Sequence, residues 1–585
     1  MTPTILRPTT RTFLLIFGVA AALWGQGMAS RGVKPQPRAK FSGKPWDSKL
    51  TNIAAQAGLT APTIFGNETN VQYISETSSG GVAFLDYDND GWLDIFITSG
   101  TRFENPPPGA TNRLYRNNHD GTFTDVTEKA GLIRTGWAQG VTVADYDNDG
   151  KLDIFVTYWG DNALYHNNGD GTFTDVAAKA GLIHTPAPAR PIWHAGAAFL
   201  DYDRDGRLDL FISVYVDYDQ ARTPRPGETP TCNWKGVPVP CGPRGLKTAQ
   251  HFLYHNKGDG TFEDVSVKSG ISKSQSSFGM TVITADFDED GWQDIYVACD
   301  STPSLLFRNN HDGTFTEEGI ERGIALNDDG MEQAGMGLAL ADFNGDGIID
   351  IFKTHFADDT QMLYQGDGKG QFHDVSLKSG IGVETRFICW GVGMPDLDND
   401  GWPDILLVTG SVYPGIEKDL PAYPYRTIPL MFRNLGNGKF EQLIEMAGPA
   451  MLERHSSRGS AFGDFDNDGD LDVVIWNRNE PPSLLRNDLK SSNHWLQVRL
   501  TGTVSNRSAI GAQVTLEFAG RKSTQVVLSQ SSFYSASDLR LHFGLGTATG
   551  ADVVVRWPTG RRERFSASKV DTVLALKEGS GQPVN

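Results

Sequence analysis

Twenty-eight side chains of this sequence stand in a pattern suited to one task, enclosing a hard divalent cation in oxygen. The phrase D-x-[DN]-x-D-G-x-x-D occurs seven times, with a ligand at positions 1, 3, 5 and 9 and a Gly at position 6. The first copies supply Asp86, Asp88, Asp90 and Asp94, then Asp145, Asp147, Asp149 and Asp153, then Asp201, Asp203, Asp205 and Asp209. The fourth and fifth supply Asp286, Asp288, Asp290 and Asp294, and Asp342, Asn344, Asp346 and Asp350. The last two supply Asp396, Asp398, Asp400 and Asp404, and Asp464, Asp466, Asp468 and Asp472. Carboxylates on alternate residues, with a Gly to turn the chain, converge on Ca²⁺, whereas Mg²⁺ keeps more waters and Zn²⁺ takes Cys or His. An EF-hand would need a Glu at position 12 and helical flanks. Position 12 is instead Ile212 or Val297, within β-branched and aromatic runs such as Leu152-Asp153-Ile154-Phe155-Val156. These loops therefore join strands. About seven Ca²⁺ are expected, and charge count alone makes the fifth loop, with Asn344, the weakest.

The elements around each loop repeat as well. An apolar strand runs in (Gly140-Val141-Thr142-Val143-Ala144), a second runs out, and a third such as Leu114-Tyr115-Arg116-Asn117 turns through Asp120-Gly121 into a last strand, Thr122 to Val126. Asp-Gly between apolar runs is a hairpin signal. Four strands per repeat is the signature of a propeller blade. Five residues before the loop stands a Gly in six copies (Gly81, Gly140, Gly196, Gly337, Gly391, Gly459) and Thr281 in the fourth, as expected where strands crowd an axis. The seventh repeat lacks its last strand after Leu484-Leu485-Arg486-Asn487, and Leu50-Thr51-Asn52-Ile53 near the N-terminus matches the missing piece. Closing a ring this way removes exposed edges. The expected fold is all-β, a seven-bladed propeller over 46–490 followed by a small β-sandwich.

That second domain, 491–579 with a tail at 580–585, has no acidic loop and alternates short strands with turns, as in Trp495 to Leu500 and Val553 to Trp557. Residues 1–29 read as a signal peptide: Arg7 and Arg11, an apolar run from Phe13 to Trp24, and a small-x-small site at Gly27-Met28-Ala29. Residues 30–45 read as a linker. The run is short for a bilayer span, so after cleavage no membrane segment is expected, and the protein is secreted, periplasmic or at the cell surface. Of four Cys, Cys232 and Cys241 lie close in a Pro-rich insert and are expected to be bridged, while Cys299 and Cys389 read as buried thiols. The formal charge of −19 argues against nucleic acid and anionic membranes as partners. Seven Ca²⁺ would bring fourteen positive charges and leave about −5.

The acidic repeats resemble the FG-GAP/VCBS units of the integrin α-subunit propeller. The stretches Asn506-Arg507-Ser508-Ala509-Ile510-Gly511-Ala512, His542-Phe543-Gly544-Leu545-Gly546 and Arg556-Trp557-Pro558-Thr559-Gly560 resemble the ASPIC/UnbV domain. Together the halves are similar to the cartilage acidic protein family and its bacterial relatives, which implies a propeller with Ca²⁺ in its loops. The inserted ligand-binding domain of integrins has no counterpart here, so integrin-type binding is not implied.

Two functions compete. The first is an exported calcium-binding scaffold for a protein or glycan, with its partner surface on two inserts that carry Trp234, Tyr413, Tyr423 and Tyr425. The second is a polysaccharide lyase or hydrolase using the axis as a pocket, with Glu76, Gln139, His194, Gln333 and His455 near its entry. No nucleophile elbow, P-loop, HExxH or dinucleotide fingerprint is present, and the scaffold is favoured.

Overall fold

The structure, a computed structural model, describes residues 27–78, 80–183 and 190–584; most of the expected signal segment lies outside them. Each acidic phrase forms the connection of a hairpin. In the second repeat Trp137–Ala144 pairs antiparallel with Asp153–Trp159, and Ala144 stands opposite Asp153. Position 9 is thus the first residue of the outgoing strand, fixed by the ladder. The third and fourth strands, Ala163–Asn167 and Phe173–Asp175, complete the sheet in sequence order. Asp153 to Tyr158 are all buried, because neighbouring sheets cover both faces.

Seven four-stranded sheets of this kind occur among the described residues. Their innermost strands neighbour one another in order, and Val82–Leu85 of the first meets Ser457–Gly463 of the last. The ring closes as the sequence implies: Leu50–Asn52 pairs with Ser483–Asn487, Leu50 opposite Asn487. This is a β-propeller.

The C-terminal stretch forms two sheets. His494–Thr501 lies between Leu541–Gly546 and Thr572–Lys577, and Gln513–Phe518 pairs with Arg521–Val526 and Ala551–Arg556 in a five-stranded sheet. Val498, Val514, Leu516, Phe543 and Trp557 share one apolar core, which continues into Phe199 and Leu210 of the third blade.

Between Val526 and Leu541 the chain leaves this sandwich and enters the propeller axis. The Ser529 and Tyr534 carbonyls accept the Val143 and Val141 amides. Ser532 exchanges backbone bonds with Leu338, and Ala536 does so with Val82 and Phe84. Side chains of Ser529, Gln530, Ser532 and Ser537 take the amides of Phe199, Val282, Val392 and Phe462. All seven innermost strands therefore bond to Ser529–Ser537. The glycines before the loops make room for it: a Cβ on Gly81 would lie 2.2 Å from the Tyr534 carbonyl oxygen, and one on Gly459 2.3 Å from the Ser535 hydroxyl. Crowding between blades, as the sequence implies, acts alongside it: the atom nearest a Cβ is the Met280, Trp390 or Arg458 carbonyl oxygen of the next blade at Gly196, Gly337 and Gly391, and an atom of Tyr534 at Gly81 and Gly140.

The expected linker is tied down where Arg31 bonds Asp359 and Asp329, and Ala29, the last residue of the expected signal segment, donates its amide to Ser301. Cys232 and Cys241 form the disulfide, and Cys299 and Cys389 are buried free thiols. Among the described residues no helix is long and apolar enough to cross a membrane.

Candidate metal centres

The seven loops share one hydrogen-bonded frame. The position-1 carboxylate accepts the position-6 Gly amide in every copy, at 2.7–3.1 Å. The position-5 carboxylate accepts the amide two residues on, at 2.8–3.0 Å. Position 9 uses one oxygen for the position-2 amide, as Asp94 does for Tyr87. Its other oxygen takes the amide ending the third strand, as Asp94 does for Asn117. The position-6 glycines have φ between +82° and +94°, which side chains rarely tolerate. Position 4 is left-handed too, at Asn89, Asn148, Arg204, Glu289, Gly345, Asn399 and Asn467.

Within this frame the remaining oxygens converge. In each of the first three loops one carboxylate oxygen from positions 1, 3 and 5 lies within 4.8 Å of the other two. Asp88 Oδ1, Asp203 Oδ1, Asp286 Oδ1 and Asp466 Oδ1 are buried with no hydrogen-bond partner. Burial and then mutual repulsion push Asp201 up to about 8, and burial pushes Asp94 and Asp153 there as well. Clustered carboxylates within a loop, some with an oxygen left unpartnered, held together at such cost fit an all-oxygen site for Ca²⁺. The residues present suit that ion.

A second set of side chains borders the loops, and the sequence reading passed over it. The penultimate residue of the third strand faces position 3: Arg116 Nε lies 2.9 Å from Asp88, and His166 and His255 lie 3.3 and 3.5 Å from Asp147 and Asp203. Arg308, Arg433 and Arg486 hold the same strand position. The fifth repeat, whose position 3 is Asn344, has neutral Gln365 there. The missing negative charge and the missing positive charge coincide. Asn at the end of the third strand was also overlooked: Asn117 Nδ2 donates to the Phe465 carbonyl of the preceding loop, and five other blades repeat the bond.

The C-terminal sandwich sits on this loop face. Arg507 lies over Gly150, the Val504 carbonyl over Gly206, Lys522 over Gly347, Arg521 over Gly401 and Trp495 over Gly469. Arg556 forms an ion pair with Asp286, and Gln497 Nε2 donates to Asp464 at 2.7 Å.

The residues weighed for catalysis have structural duties. The Glu76 carboxylate accepts amides from Asn67, Gln72 and Tyr73, and Gln139 accepts the Trp193 indole N–H. His194 bonds the Gly160 carbonyl, Gln333 donates to Asp359, and His455 pairs with Glu480. The expectation for the inserts is half met. They share one face, because Trp234 packs on Tyr413 and Tyr423 with centroids 5.7 and 5.0 Å apart. Yet Trp234 is 2% and Tyr413 6% exposed, so these rings form an apolar core and not a free aromatic surface. Tyr423 and Tyr425 are half-buried, their hydroxyls bonded to Asp358 and Arg478.

A closed propeller with an acidic β-hairpin loop in every blade, capped by a β-sandwich, defines an FG-GAP-repeat protein. The FG-GAP-like repeat profile matches 86–156, 145–212, 249–297, 286–353 and 342–407, and the ASPIC and UnbV profile matches 502–583. Cartilage acidic protein 1 of Mus musculus is 26% identical over 548 residues, 89% of this chain and 76% of its own. The Homo sapiens protein of that name is 27% identical over 55% of this chain and 47% of its own; that of Xenopus tropicalis is 24% identical over 85% and 73%. The chain thus carries FG-GAP repeats and an ASPIC/UnbV domain and is similar to cartilage acidic protein 1 over most of its length. Among solved structures, an Agrocybe aegerita lectin recognising non-reducing terminal N-acetylglucosamine aligns over 62% of this chain and 79% of its own, at 18% identity and a TM-score of 0.35, too low to bear on function.

Proposed function

We propose that this protein is an exported calcium-binding propeller, 46–490, that acts with its 491–579 domain as a binding scaffold for a protein or glycan partner. The observation that carries the reading is the shared frame of the seven loops, with buried, unbonded carboxylate oxygens at Asp88, Asp203, Asp286 and Asp466. Bound calcium would supply the positive charge that holds these oxygens together. Positions 1, 3, 5 and 9 would be its ligands. Export fits such sites, because weak extracellular-type calcium modules fill only where free calcium is high, and the disulfide fits the same compartment. The enzyme reading needs an open axis, and Ser529–Ser537 occupies it.

Metal analysis of the purified protein in millimolar Ca²⁺ should find about seven ions per chain, and chelator should lower its melting temperature, because ions that bind only the folded state stabilise it. Fewer than three ions, or an unchanged melting curve, overturns the reading.

A further inference from the structure

The sandwich does not cover the loop face evenly. Five of the seven position-6 glycines meet an atom of the C-terminal domain, and Gly291 meets Arg204 of the neighbouring loop. Only Gly91, in the first loop, faces open space. Over it lies a cleft of about 620 Å³, walled on one side by the first two loops and on the other by the C-terminal domain. That is the size of a ligand site.

Its charges are unevenly engaged. Arg540 is held by Asp538 at 2.6 Å and by Asn467. Arg499 is exposed, and its guanidinium has no hydrogen bond or ion pair with any described residue. The Arg507 guanidinium comes no closer to a carboxylate than 3.9 Å, at Asp145. The lining acids Asp86 and Asp145 are first-position loop carboxylates, directed at backbone amides and at the loop interior. Arg499 is therefore unengaged at the cleft and Arg507 held only by a long contact to Asp145, and guanidinium groups bind carboxylates with two parallel bonds. The neutral part of the wall mixes polar residues such as Asn89, Thr501 and Ser508 with an aliphatic patch of Leu500, Leu539 and Val573. No exposed aromatic ring lines it, and sugar rings are commonly held by stacking on such rings.

We propose that this seam binds an acidic, aliphatic peptide segment of a partner, its carboxylates on Arg499 and Arg507 and its apolar side chains on Leu539 and Val573. The proposal rests on the scaffold reading and locates its binding site. It also gives the C-terminal domain a part in recognition, since the cleft exists only where the two domains meet.

The test is fluorescence anisotropy of the full chain in millimolar Ca²⁺ with a labelled peptide alternating Glu and Leu, against one alternating Lys and Leu. The acidic peptide should bind and the basic one should not. Arg499→Glu with Arg507→Glu should weaken binding at least tenfold, and the double Lys variant should lose threefold or less. Equal binding of both peptides, an unaffected charge-reversal variant, or displacement by oligogalacturonate at lower concentration than by unlabelled acidic peptide overturns the proposal. Calcium content and melting are measured on the same samples. A calcium-loaded, stable protein with no peptide binding sinks the cleft alone, whereas absent calcium sinks the scaffold reading.

Discussion

Asn467 Nδ2 donates to the Gly91 carbonyl at 3.1 Å, joining the last acidic loop to the first across 376 residues of sequence. Three more loops do the same in turn: Asn89 reaches Gly150, Asn148 reaches Gly206 and Asn399 reaches Gly469. Arg204 takes the place of the amide in the third loop and stacks over Trp292 of the fourth. Five of the seven steps between neighbouring candidate metal centres are linked in this way, and the Asn467 bond is the one that spans the ring's closure.

Asn467→Ala should lower stability by about 1–2 kcal/mol, from the lost bond and from left-handed backbone on a residue with a Cβ. Asn467→Gly keeps the backbone and loses only the side-chain bonds, so it should melt between the wild type and the Ala variant. Thermal unfolding of both in Ca²⁺ checks this. An Ala variant that melts with the wild type would show that ring closure does not depend on this contact.

Calcium occupancy should not follow carboxylate count. The fifth loop has three carboxylates, but its facing side chain is neutral Gln365. The fourth has four, yet Arg556 pairs with Asp286, and Arg322 stands 4.0 Å from Asp288. Two nearby cations offset more charge than one missing carboxylate, so the fourth loop should empty before the fifth as calcium falls. Crystals equilibrated at decreasing calcium give the order directly, and the expectation fails if the fifth loop empties first.

The axial segment sets a third expectation. A Cβ on Gly81 would collide with the Tyr534 carbonyl, a backbone atom that cannot rotate aside. Gly81→Ala should cost about 1–3 kcal/mol through overpacking and loosen Ser529–Ser537. Protease should then cut this stretch faster than in the wild type. Unchanged cutting together with unchanged melting would mean that the segment adapts to the methyl group.

The acidic loops, strand order and ring closure were legible because they rest on short-range patterns: alternate Asp, a Gly at a fixed offset, and Asp-Gly hairpins. Position 4 carried a weaker signal, Asn in four of seven copies, a residue that tolerates left-handed backbone. The axial segment carried none. Ser529-Gln530-Ser531-Ser532-Phe533-Tyr534-Ser535 has no strand alternation, and its bonds reach strands up to 453 residues away. The inserts misled for a related reason. A Pro-rich excursion reads as exposed until a second excursion, 180 residues on, is seen to cover it.

Stability should fall in acid through His251. Its Nδ1 accepts the Val214 amide at 3.1 Å and its Nε2 bonds Ser277, so only the neutral ring fits, and burial pushes its pKa down to about 4. A histidine depressed below its unfolded value of ~6.5 gives its full contribution above that pH and loses it as pH falls toward 4, by at most about 3 kcal/mol. Denaturant melts of the calcium-loaded protein between pH 7 and 4 should be steeper in pH than those of His251→Asn. Parallel pH profiles would remove His251 from the account.

Trp234 brings the expectation about the inserts to a measurable point. Were it an exposed anchor, its removal would spare the fold. Its ring is instead packed against Phe356, Tyr413 and Tyr423, and the adjoining Lys235 ammonium lies 5.0 Å from the Tyr423 ring. Trp234→Ala should therefore cost about 3–5 kcal/mol, the range for emptying a large buried aromatic site. The loss should be local to this cluster, because it contains no residue of the acidic loops among the described residues. Hydrogen exchange should rise in 223–244 and 411–430, with calcium content unchanged. A variant that melts like the wild type and loses only partner capture would restore Trp234 as a surface anchor.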